Sequence, residues 1–141
     1  MGCDIHAHIE VKFKDNEEWQ HLANPRVERN YNLFALMAGV RNYDEIVPIS
    51  DPKGLPKDIT DITKISYNYW DLDAHDVSWL GVEELVEIEN QNYLWRNDKN
   101  MGWLECVFHT FLFSNSLTGW YRYNENPQGV EDLRVVFWFD N

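Results

Sequence analysis

From Cys3 onward the chain alternates: Ile5, Ala7, Ile9, Val11 and Phe13 are apolar, and Asp4, His6, His8, Glu10 and Lys12 between them are polar or charged. A repeat of two residues is that of a β-strand, so the apolar set faces a core and the polar set lines the other face. Lys14-Asp15-Asn16-Glu17 is a polar break, after which Glu18-Trp19-Gln20-His21-Leu22 resumes a short alternation. Together they predict a β-hairpin from Asp4 to Leu22. Asn24-Pro25-Arg26 closes it, because proline cannot donate to the ladder.

The period then lengthens. Leu33, Phe34, Met37 and Val40 form an apolar stripe within Arg29–Arg41, with Asn30 as a cap, and predict a helix. Asn42–Lys57, with Pro48, Pro52, Gly54 and Pro56, reads as a loop. Asp58–Trp70 has Thr60 as a cap and Ile62, Ile65 and Tyr69 at helical spacing, though Ile62–Tyr67 is also compatible with a strand. Asp71–Leu80 reads as a polar loop, and Gly81–Ile88 as a helix with acids in its first turn and Leu85 and Ile88 turned inward. Met101–Phe113 is apolar enough for a buried helix carrying Cys106 and His109 on one face, and Asn115–Gln128 is an aromatic loop or hairpin. Leu133–Asn141 is a strand apolar on both faces, as expected of one running centrally beside the first. The pattern predicts an α+β domain spanning 1–141. Its small, mainly antiparallel sheet has the N- and C-terminal strands central, with helices packed on one side.

Composition narrows the functions. The 141 residues suffice for one core, and 44% hydrophobic content with seven Trp marks a folded chain. Twenty-four acids against twelve Lys and Arg give a net charge of −12, which repels a phosphate polymer. No nucleic-acid polymer is therefore expected as a partner, although a small nucleotide held by a few arginines remains open. Two cysteines make no disulfide framework, and no apolar run approaches the roughly 18 residues of a membrane span. A cytoplasmic protein without a membrane partner is expected.

Three groups of residues carry candidate chemistry. His6 and His8, side by side on one strand face next to Asp4, have the spacing that offers two imidazoles and a carboxylate to a divalent metal such as Zn, Mn or Fe, with Asp140 as a further ligand. The alternative is the exposed face of an amphipathic strand. Asp73, His75 and Asp76 would supply a general base or acid, or complete the metal shell, unless they merely cap the following helix. Arg26, Arg29 and Arg41 would hold phosphates while Trp79 and Trp120 stack on a base. Otherwise the arginines simply balance nearby acids.

Cys3-Asp4-Ile5-His6, Arg29-Asn30-Tyr31-Asn32-Leu33-Phe34, Gly54-Leu55-Pro56, Asp73-Ala74-His75 with Ser78-Trp79-Leu80, and Val136-Phe137-Trp138-Phe139-Asp140-Asn141 together resemble a family of small, mostly uncharacterised phage and prophage proteins. The resemblance covers most of the chain and implies a viral accessory context in a bacterial cell. Asp4-Ile5-His6-Ala7-His8 is similar to the Asp-x-His-x-His first strand of metal-dependent hydrolases, which implies metal binding by His6 and His8. The likeness is local, since those enzymes need a barrel of about 250 residues.

Three functions follow as expectations. One is a metal-dependent hydrolase of a phosphoester or small nucleotide, in which the cation activates water. Another is a counter-defence sponge that sequesters a bacterial nucleotide immune signal intact. The last is an acidic inhibitor of a host protein, motivated by charge alone.

Overall fold

The computed structural model describes residues 2–95, Leu104 and 130–141. Among the described residues four strands form one antiparallel sheet: β1 (Asp4–Phe13), β2 (Trp19–Ala23), β3 (His75–Gly81) and β4 (Val130–Asp140), in the order β2-β1-β4-β3. The α-helices whose bounds fall within the described residues are α1 (Tyr31–Ala38), α2 (Asp61–Trp70) and α3 (Val82–Asn90). The α+β class and the central position of the first and last strands are as the sequence predicts. None of the helices among the described residues is long and apolar enough to cross a membrane.

The register of β1 on β4 sorts the two faces. Ile5 lies opposite Phe139, Ala7 opposite Phe137, Ile9 opposite Val135 and Val11 opposite Leu133, so these eight side chains share one face. All are buried in the main core. α1 packs there with every residue from Leu33 to Ala38 buried, and α3 adds Leu85 and Ile88. Phe34 meets Phe139 edge to face at 5.1 Å between ring centroids, a favoured aromatic geometry. Asn30 caps α1 through its side-chain oxygen, which accepts from the Leu33 amide at 3.1 Å. Gly39 ends the helix at φ +73°, a conformation that costs glycine little and an L side chain more.

The opposite face departs from a plain amphipathic strand. His8 and Glu10 are 2% and 0% exposed, because α2 lies across them. Thr63, Ser66 and Tyr67 point from α2 at Glu10, His8 and Trp138 respectively. α1 and α3 thus cover the apolar face, while α2 covers the polar one with a polar underside of its own.

The stretch whose clustered acids mark a loop, Asp71–Leu80, instead holds a short turn and β3. Its period is broken by a bulge between His75 and Ser78, where Asp76 takes φ +50°. That break conceals the alternation. The loop before α2 is tied to this strand: Gly54 N–H donates to Val77 O at 2.9 Å, and Lys53 N–H to Ser78 Oγ at 3.0 Å.

Candidate functional site

Between the sheet and α2 lies a row of buried polar groups. At its centre Arg134 donates from Nε to Glu10 Oε1 at 2.8 Å, and its Nη2 sits 2.7 Å from the same oxygen. Glu10 Oε2 accepts from the Thr60 amide at 3.0 Å, the Thr60 hydroxyl at 2.6 Å and the Thr63 hydroxyl at 2.8 Å. Burial alone would raise the Glu10 pKa. The bonds from Thr60, Thr63 and Arg134 outweigh it and hold the carboxyl below its usual range. Arg134 Nη1 reaches Asp58 Oδ1 at 2.7 Å, and this bond lowers the Asp58 pKa. The pair therefore fastens the start of α2 to the sheet.

Farther along the row His8 Nδ1 lies 2.9 Å from His21 Nε2, and His8 Nε2 lies 3.0 Å from Ser66 Oγ. Burial, aided by the neighbouring His21, pushes the His8 pKa down to about 4; burial also lowers that of His21. Both imidazoles are thus neutral at pH 7. His6 bonds through Nε2 to Asp140 Oδ2 and stacks on Trp70 at 4.1 Å between centroids. Trp138 lies under this row, 5.3 Å from His8 and from Tyr67. Its Nε1 is buried with no hydrogen-bond partner among the described residues, a cost of about 1–3 kcal/mol.

His6 and His8 do project from one face, and Asp140 does reach His6. Each imidazole nevertheless has its own partners. Among the described residues no three His, Cys, Asp or Glu side chains come together as a metal cage. Asp4 points elsewhere, paired with Arg29 Nη2 at 2.9 Å. In this arrangement His6 and His8 are turned to different partners, His6 to Asp140 and His8 to His21 and Ser66.

His75 pairs across the sheet with Phe139 and stacks on it at 6.1 Å, which puts it on the apolar face, opposite His6. Its partners are Asp76 at 2.6 Å and Asn141 at 3.3 Å. Asp73 is exposed at the end of the turn after α2. These three residues therefore do not complete the histidine row. The arginines are dispersed as well: Arg26 pairs with Glu28 at 3.0 Å, Arg29 with Asp4, and Arg41 bonds Tyr43 and Asn141 at 3.3 and 3.2 Å. Trp120, Cys106 and His109 lie outside the described residues.

Trp79 is placed differently. On the polar face beside the start of α2, a cleft of about 500 Å³ is lined by Trp19, Trp79, Lys53, Lys57 and Arg134. Pro56 and Leu55 close one side, and Asp58 and Asp132 are the acids on its wall. Arg134 lies 3.9 Å from the centroid of Trp19, and Lys53 Nζ 3.9 Å from that of Trp79. Lys53 also pairs with Glu84 at 2.6 Å. Trp19, Lys53, Lys57 and Arg134 are the residues that sequence reasoning missed. Gly54-Leu55-Pro56 was the available signal, since that loop carries two of the cations to the cleft.

No family model matches the chain, and neither a curated protein nor a solved structure is significantly similar to it.

Proposed function

We propose that this protein binds a small, planar, anionic ligand of the nucleotide class in the Trp19–Trp79 cleft and holds it without cleaving it. The observation that carries this reading is the cleft's make-up. Two indoles and three cations, against two acids, line it in a chain whose acids outnumber its bases two to one. Indoles offer flat faces to a base, and Lys57 and Lys53 offer charge-assisted bonds to phosphate, while Arg134 stays held by Glu10 and Asp58. The volume falls within the range of small-ligand sites. The resemblance to small phage proteins supports an accessory, counter-defence role for such binding, with a host signal as the ligand.

Titration of the protein with a panel of linear and cyclic nucleotides, read by tryptophan fluorescence, tests this. At least one nucleotide is expected to quench the signal with a Kd in the micromolar range, about −8 kcal/mol. Lys57→Glu should weaken that binding about tenfold, and added salt should weaken it further. Heating the complex should release the nucleotide intact. No quenching by any nucleotide at millimolar concentration would refute the binding reading. Recovery of cleaved nucleotide would replace the sponge with a hydrolase, and the His6–Asp140 pair would then be the first acid-base candidate to mutate.

A further inference from the structure

The charged groups around the Trp19–Trp79 cleft fall into two sets once their partners are assigned. Arg134 pairs with Asp58 at 2.7 Å and with Glu10, and Lys53 pairs with Glu84 at 2.6 Å while its Nζ lies over Trp79. Lys57 and Asp132 also line the cleft, and among the described residues neither makes an ion pair. Asp132 is two residues from Arg134 on β4, so both side chains leave the sheet on the same face. Asp132 Oδ1 accepts from the Leu133 amide at 2.8 Å. Lys12, opposite Asp132 on β1, reaches toward Trp19 and lies 6.0 Å from its ring centroid. The cleft therefore holds an uncommitted carboxylate, which phosphate binding alone does not explain.

The floor beside that carboxylate is bare. Gly81 pairs with Arg134 across the sheet and lines the cleft with Asp132. Its backbone angles, φ −84° and ψ −179°, are open to any residue, so conformation does not call for glycine there. Among the described residues, a Cβ at this position would meet only Trp79, 4.0 Å from Cζ3. The missing side chain leaves flat space beside the indole.

We infer that the cleft selects a guanine nucleotide, whose N1–H and 2-amino group donate to the Asp132 carboxylate while the ring lies over Gly81 beside Trp79 and the phosphate faces Lys57. This rests on the binding of a nucleotide in the cleft and adds the identity of its base. Among the common bases, guanine alone presents two adjacent N–H donors on its pairing edge. Two such donors meet both oxygens of a carboxylate as the fork of a guanidinium does. Adenine and cytosine set one amino group beside a bare ring nitrogen, whose lone pair faces the carboxylate. A group placed to accept from two donors discriminates against bases that lack them.

Isothermal titration calorimetry of the full chain with GMP, IMP and AMP tests the inference. GMP should bind about ten- to a hundredfold more tightly than AMP, the usual discrimination of a bidentate pair. IMP keeps N1–H but lacks the 2-amino group, and should fall between them. Asp132→Asn should abolish the preference for GMP over AMP, because its amide sets a donor against a donor; a purely structural role for Asp132 would change both affinities alike. Gly81→Ala puts a methyl on the floor and should weaken GMP binding. Circular dichroism checks that the variants fold; if Asp132→Asn does not, Asp132→Ser carries the same expectation. Nucleotides that bind with GMP no tighter than AMP, or a GMP preference that survives loss of the Asp132 carboxylate, overturn the guanine assignment and leave nucleotide binding standing. Binding of none of the three, nor of any other nucleotide, overturns both.

Discussion

Replacing Glu10 with glutamine should unfold the polar row from its centre. The carboxylate receives Arg134 on one oxygen and the Thr60 amide with two threonine hydroxyls on the other. A glutamine side chain has one acceptor oxygen and one donor amide. Whichever way it turns, the amide confronts either the guanidinium or the Thr60 N–H. Arg134, 4% exposed, then keeps only Asp58 as an acidic partner. Removing one member of a buried pair costs about 3–5 kcal/mol, and the remaining Asp58 places this case near 3 kcal/mol. With a urea slope of about 2 kcal/mol/M, the unfolding midpoint should fall by about 1.5 M. That is a large fraction of a typical stability of about 5–15 kcal/mol. Equilibrium urea unfolding, followed by circular dichroism and fluorescence, reads it. The double variant Glu10→Leu with Arg134→Met should recover much of the loss, because an apolar pair leaves no orphaned charge. A Glu10→Gln midpoint within about 0.5 M of wild type, at unchanged slope, would sink the reasoning.

Two further outcomes follow from the same geometry. His8 has a folded pKa near 4, below its unfolded value near 6.5, so its contribution to stability is complete above pH 6.5 and is lost as the pH falls toward 4. At about 1.4 kcal/mol per unit this is at most about 3.5 kcal/mol. His21 acts in the same direction, and Glu10, with its lowered pKa, adds a second loss below about pH 4.5. Urea midpoints measured from pH 8 to pH 4 should therefore decline, and His8→Gln should flatten the upper part of the decline; an equally steep profile in the variant would assign the loss to other groups. Gly39→Ala places a side chain at φ +73° with its Cβ 3.4 Å from Pro48 Cγ, so it should cost about 1 kcal/mol and lower the thermal midpoint by a few degrees. An unchanged midpoint would mean that the turn after α1 relaxes freely.

Much of the scaffold was legible because it obeys simple periods. Ile5, Ala7, Ile9 and Val11 of β1 are buried, Asn30 and Thr60 cap their helices, and the doubly apolar stretch 133–140 is a central strand. The site was less legible, for identifiable reasons. A polar residue on an alternating strand signals water unless something polar covers it, and no periodicity announces that α2 would turn Thr63 and Ser66 inward. Ile62, Ile65 and Tyr69 gave the right period and no hint that they face out. His75 lay two residues from a register change, and one such slip exchanges the faces of a sheet. The cleft joins Trp19, Lys53, Trp79 and Arg134 from four distant segments, a proximity that only the fold creates.

The pairing of β1 with β4 also governs when the sheet can assemble. Residues 4–13 find their principal neighbours more than a hundred positions later, at 130–140. Contacts so remote in sequence require the intervening loop to close first, and chains dominated by them fold slowly. A nascent chain halted before Val130 would carry β1 with only β2 beside it, its inner edge unpaired and open to association with other strands. Completion of the sheet therefore waits on synthesis of the eleven-residue β4.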